Sequence, residues 1–138
     1  MSPLAIRWLT ILISVGWCAL QFAPALFGPF EYEMIILGTH VGAAVSLGLL
    51  LTRADGKRRA SDERLPRFDL LLLVANVACY GYMLSQAQRI AERIAGVDAV
   101  SNLDVVVGSL LIVLLLEACR RAAGAVLTCV AAAFLLYL

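Results

Sequence analysis

The chain has 138 residues, of which 62% are apolar and 15% charged, with a formal net charge of +1; soluble domains run near 45–50% and about 25%. Those proportions imply an integral membrane protein and leave too little polar sequence for a folded soluble domain. With no basic stripe there is no footprint for nucleic acid, and the length allows about four spans of ~20 residues with short connections.

The expected fold is all-α, a polytopic membrane helical bundle forming a single domain over residues 1–138. The first span is expected over residues 4–27, with Trp8 near its start and the turn-forming Gly28-Pro29 after its end. Arg7 is the only charge ahead of a run longer than the apolar core of a cleavable signal, and Trp17 precedes Cys18 where a lipoprotein site requires a small residue. A retained helix is therefore expected.

The second span, 33–52, carries His40, the only histidine, and a G-x-x-x-G made by Gly38 and Gly42. Such a face lets two helix backbones approach closely, whether the neighbour is in this chain or in a partner. One imidazole supplies neither paired haem ligands nor a metal site. Gln21 should lie at a similar depth in the first span. Both residues are expected to be hydrogen-bonding contacts between helices, with Asn76 and Tyr80 as further candidates.

Between spans two and three lies RADGKRRASDERLPRFD, holding Arg53, Lys57, Arg58, Arg59, Arg64 and Arg67. The positive-inside rule places this loop in the cytoplasm. Counting outward puts the N-terminus inside, so that nine of the eleven basic residues fall inside and only Arg89 and Arg93 outside.

The third span is expected over 68–87. Beyond it Ile90, Ile94 and Val97 recur at helical spacing while Arg89, Glu92 and Arg93 face elsewhere. This segment would either prolong the third helix or lie flat at the interface. It is either a solvated helix end or a periplasmic docking surface formed by Arg89, Glu92 and Arg93. The fourth span, 104–121, starts with Ser101 or Asn102 as cap and Asp104 in its first turn. At its far end Glu117 stands three residues before Arg120 and four before Arg121, close enough to pair with both. The arginines are expected at the membrane boundary, paired with Glu117 and reaching headgroups. Residues 124–138 are too short to cross a ~30 Å core at 1.5 Å per residue. They form a partial fifth pass, an arm, or an extension of the fourth helix.

Glu31, Glu33, Asp69, Asp104 and Glu117 all fall at expected span ends. None provides the mid-membrane carboxylate that a proton-coupled four-helix drug exporter needs. Cys18, Cys79, Cys119 and Cys129 form no C-x-x-C, which argues against a disulfide oxidase and for small packing residues. No catalytic group, cofactor site or metal site is expected.

The stretch DVVVGSLLIVLLLEACRRAAG, followed by an apolar run ending in LLY, resembles the small four-helix (Q-type) part of tripartite ATP-independent periplasmic (TRAP) transporter permeases, in particular the N-terminal part of those served by TAXI-type binding proteins. The matching residues are Asp104, Gly108, Leu114, Leu116, Glu117, Ala118, Arg120, Arg121, Gly124, Leu135, Leu136 and Tyr137. The order of Gln21, Gly28-Pro29, His40, the basic loop, Leu65-Pro66, Asp69 and Tyr80 fits the same pattern; Arg67 departs from it, standing where an aromatic often follows the Leu-Pro.

The resemblance implies a multi-pass subunit of the bacterial inner membrane without chemistry of its own. It would scaffold a large elevator-type permease subunit that imports organic acids, driven by an ion gradient and supplied by a periplasmic binding protein. Gln21, His40, Asp104, Gly108, Glu117, Arg120 and Arg121 would then be interface or structural positions. The alternative is an autonomous homo-oligomeric transporter or channel; a redox enzyme ranks third.

Overall fold

The structure is a computed structural model that describes residues 2–27, 33–60, 62–94 and 98–137. The described residues form helices α1 (Pro3–Phe27), α2 (Glu33–Leu51), α3 (Arg67–Ser85), α4 (Ala87–Glu92), α5 (Asn102–Ala123) and α6 (Ala125–Tyr137). Among them there is no strand, only an isolated bridge between Thr52 and Arg58. Gly28-Pro29, Glu31 and Val97 lie outside the described residues.

Three helices, α1, α3 and α5, are long and apolar enough to cross a membrane; Ile35–Leu51 of α2 and Ala125–Tyr137 of α6 are shorter apolar helices. This is the architecture of a membrane protein, and lipid explains the all-helical choice. A backbone in hydrocarbon must satisfy its own N–H and C=O groups, which a helix does within the segment. The hydroxyls follow the same logic. Thr10, Thr39, Ser46 and Thr52 each donate to a carbonyl one turn back, at 2.5–2.9 Å, so no hydroxyl proton among these four faces lipid unpaired.

Among the described residues helix α2 is the centre of the bundle, touching α1, α3, α4 and α5, whereas α1 packs only on α2 and α6 only on α5. Its neighbours α1 and α3 run antiparallel to it. Ile6 packs with Leu50 near one end of the α1–α2 pair, and Trp17 meets His40 further along. On the other side Leu73 joins the Leu50 cluster, Asn76 reaches Gly42, and Met83 lies over Gly38. Val45 and Leu49 pack on Ala118 of α5. The C-terminal end of α2 therefore shares one end of the bundle, the loop end, with the start of α3 and the finish of α5.

The G-x-x-x-G face packs within this chain. A Cβ on Gly42 would lie 2.9 Å from the Tyr80 ring, and one on Gly38 would collide with the Met83 side chain. Glycine is what lets α3 lay these two large side chains directly on the α2 backbone.

One break differs from the expected spans, and a second removes one of the alternatives open for the last residues. The third span does not run on to 87: Gln86 (φ −107°, ψ 11°) separates α3 from the short α4, whose Ala87 is buried against the bundle. The fourth helix does not extend into the last residues either. Gly124 adopts φ +91°, a conformation that closes α5 and starts α6 as a separate helix. None of the α6 residues described is buried.

Candidate functional site: ionic clamps at the two ends of the bundle

At the loop end the chain turns sharply after α2. Thr52 bridges Arg58, Arg53 donates its backbone N–H to the Lys57 carbonyl at 2.8 Å, and Gly56 takes φ +80°. Within this turn the Lys57 backbone N–H donates to Asp55 and holds its carboxyl below the usual carboxylate range. The turn delivers Arg59 beneath the end of α2. Its Nε donates to the Leu50 carbonyl at 3.1 Å and its Nη2 to the Thr52 carbonyl at 3.0 Å, so a guanidinium caps the negative end of the helix.

The same Nη2 lies 2.5 Å from Oδ2 of Asp69, in the first turn of α3, where an anion favours the positive end of that helix. The other Asp69 oxygen, Oδ1, faces Nη2 of Arg121 at 2.9 Å, an ion pair without hydrogen-bond alignment. Arg121 in turn donates from Nε to Glu117 at 2.7 Å, and Arg120 grips the same carboxylate through two nitrogens, both at 2.8 Å. Arg120 also donates to the Ala54 carbonyl at 2.9 Å. The loop sits so close to α5 that a Cβ on Gly56 would be 3.3 Å from the Arg121 carbonyl.

Burial shows how this network is balanced. The side chains of Arg59, Asp69 and Arg121 are 3%, 3% and 0% exposed, Glu117 is 23% exposed and Arg120 is 39% exposed. Two buried cations thus face two carboxylates, and the surplus charge rests on Arg120, where solvent or headgroups reach it.

This corrects the expected place of Arg121. Its guanidinium does not reach for headgroups but turns inward, because Asp69 of α3 offers it a carboxylate there. Glu117 pairs with both arginines, as their spacing allows. Arg59 and Asp69 were not among the candidate residues, although their signal was present: an acid at the first turn of an apolar run, a few residues after a dense basic loop.

At the far end Asp104 organises a smaller cluster. Ser101 caps α5 and its backbone N–H donates to the Asp104 carboxylate at 3.3 Å, one half of a capping box. Arg89 of α4 binds the same carboxylate with two nitrogens at 2.7 and 2.9 Å, and the Tyr82 hydroxyl donates to it at 2.9 Å. The Asp104 hydrogen bonds hold the Arg89 guanidinium above its ordinary value. Of the candidate docking residues, Arg89 remains exposed while its guanidinium is engaged by Asp104. Glu92 accepts a hydrogen bond from Gln88, and Arg93 lines a cleft of about 280 Å³ shared with Tyr82, Asp104 and Gly108. A Cβ on Gly108 would touch nothing within 4 Å.

Between the ends, polar contacts join the helices singly. Asn76 donates to the Gly42 carbonyl at 3.0 Å and to the Ser46 hydroxyl at 2.9 Å, fixing α3 on α2. His40 accepts at Nδ1 from the Trp17 indole at 3.3 Å, with the rings edge-on at 4.9 Å. Gln21 does not join this pair, and its buried Nε2 has no hydrogen-bond partner among the described residues. All four cysteines are unpaired, and no three His, Cys, Asp or Glu side chains among the described residues are grouped to hold a metal.

Comparison with known protein families, with curated proteins and with solved structures finds no match.

Proposed function

We propose that the chain is a non-catalytic small membrane subunit of a TRAP-type secondary transporter, bracing a large permease subunit in the bacterial inner membrane during ion-driven uptake of organic acids from a periplasmic binding protein. In this reading α2 is the fourth span: its 19 residues extend about 28 Å, close to the ~30 Å hydrocarbon core. The basic loop faces the cytoplasm, and the N-terminus lies on the same side.

One observation carries the reading. Arg59, Asp69, Glu117, Arg120 and Arg121 at the loop end, and Arg89 with Asp104 at the far end, are spent on one another, while broad apolar faces of α1, α5 and α6 are left uncovered by the chain itself. Leu12, Val15 and Phe22 of α1 are 64%, 63% and 68% exposed, and Leu136 and Tyr137 of α6 are 89% and 90% exposed. Paired charges at the ends suit a fixed brace, because an ion or substrate path needs ionisable groups free to change partners. The open Gly108 cleft supplies a place where another helix backbone can come close. The LEACRR block supports the choice of transporter class.

Affinity purification of the tagged chain from its native membrane tests this. A large multi-span permease is expected to come down with it, and deletion of the chain is expected to abolish organic-acid uptake. Purified chain that alone drives uptake into liposomes would establish the autonomous transporter instead.

A further inference from the structure

We infer that the cleft between the start of α1 and the basic loop is a binding site for the headgroup of an anionic phospholipid, held by Arg7 and Arg58. The cleft has a volume of about 470 Å³ and opens at the loop end of the bundle. Its lining is mixed, with Ile6, Ile11, Leu50 and Leu51 apolar and Arg7, Arg58, Arg59 and Glu63 charged.

The commitments of these charges decide what fits. Arg59 is used by the carbonyls of Leu50 and Thr52 and by Asp69, and Glu63 lies 3.6 Å from Arg53. Arg7 and Arg58 make no ion pair among the described residues, so two guanidiniums share one cleft with no carboxylate of their own. A guanidinium presents a planar fork that matches phosphate oxygens, and two of them around one phosphodiester convert mutual repulsion into charge-assisted hydrogen bonds.

The surroundings select a lipid over a soluble anion. Trp8, next to Arg7, is 59% exposed, as suits an aromatic residue at headgroup depth. Within the cleft itself Ile11 and Leu51 remain exposed, an apolar surface for acyl chains that a free phosphate would not use. The site is also built in advance, since the Thr52–Arg58 bridge and the Arg59 N–H to Leu51 carbonyl bond at 2.7 Å fix the backbone on which Arg58 is carried. Basic pockets between membrane helices take anionic headgroups in this way. The inference does not depend on the transporter class.

The experiment is native mass spectrometry of the full chain released from nanodiscs of equal parts phosphatidylglycerol and phosphatidylcholine. Wild type is expected to retain phosphatidylglycerol, and Arg7→Gln with Arg58→Gln is expected to lower that retention about tenfold or more. The double variant Arg64→Gln with Arg67→Gln removes equal charge from the loop outside the cleft and is expected to retain the lipid. Equal loss in both double variants, or equal retention of phosphatidylcholine by wild type, overturns the site in favour of diffuse surface attraction. Displacement of the lipid by millimolar inorganic phosphate overturns it in favour of a soluble ligand. If the cleft variant fails to fold, a photoreactive phosphatidylglycerol on wild type decides: labelling within residues 3–11 and 58–63 supports the site, and labelling only elsewhere refutes it.

Discussion

Each end of the α3–α5 pair is closed by arginine and carboxylate, yet the two closures are built on different terms. At the loop end Arg59, Asp69 and Arg121 are almost wholly buried, and three separate segments contribute to one network. At the far end Arg89 is 43% exposed and a single carboxylate, Asp104, collects its partners from α3, α4 and the cap of its own helix. Burial is costly for charge, so the loop-end arrangement is stable only with its members in balance, and it fixes which segments meet. The far end keeps Arg89 partly in solvent, although Asp104 is only 12% exposed, and is correspondingly weaker and more adjustable than the loop end. One end of the bundle is specified; the other is fastened.

The sharpest way to break this contrast is to remove Asp69, the one carboxylate that two buried guanidiniums share. Asp69→Asn leaves Arg59 and Arg121 facing each other without their common anion, and the expected loss is about 3–5 kcal/mol, as for other buried pairs deprived of one partner. Arg121→Gln should cost less, because Asp69 keeps Arg59 and Glu117 keeps Arg120. The Asp69→Asn/Arg121→Gln pair should cost less than the sum of the singles, which denaturant titration of the purified protein in detergent would measure as a double-mutant cycle. Additive effects would mean that the network is a set of independent contacts.

The middle of the bundle gives the next effect in size. Gly42→Val places methyl groups against the Tyr80 ring, which already stands 2.9 Å from a Cβ there, and overpacking of this kind costs about 1–3 kcal/mol. Gly108→Ala is the counterpart, since its Cβ meets open space and the isolated chain should keep its unfolding midpoint. If the same substitution weakens capture of a large permease, Gly108 serves a partner's helix rather than this fold.

How much of this was legible beforehand depended on distance along the chain. The helical class and the places of the apolar helices follow from composition and run length, because lipid leaves the backbone few alternatives. The Glu117–Arg120–Arg121 pairing was legible too, since spacing of three and four on one helix is a local property. Arg59 to Asp69 and Asp69 to Arg121 were not, because they require knowing that the loop folds under α2 and that the α3 start meets the α5 finish. Arg121 misled for the same reason: a cation near a helix end fits a headgroup contact equally well until a carboxylate on another helix is placed beside it. Of the two residues expected to bond between helices, His40 meets the Trp17 indole of α1, whereas Gln21 Nε2 finds no partner among the described residues.

The smallest expected effect completes the comparison. Arg89→Gln removes the fork that joins α4 to Asp104 but leaves the Tyr82 hydroxyl and the Ser101 N–H on the carboxylate. The midpoint shift should therefore be smaller than for either substitution at Asp69 or Gly42, and it should shrink further between low and high salt because exposed charges are screened. Its pH dependence has a definite sign. A base whose value is raised on folding adds stability that is complete below its unfolded value and is lost only as pH climbs through the higher folded one, so between about pH 6 and about pH 10 the Arg89 contribution should be flat. Hydrogen exchange of the α4 amides would read the effect locally, with faster exchange in Arg89→Gln and little change at the α3 start. Faster exchange at both ends would mean that the two clamps act as one unit, and the distinction between a specified end and a fastened end would fall.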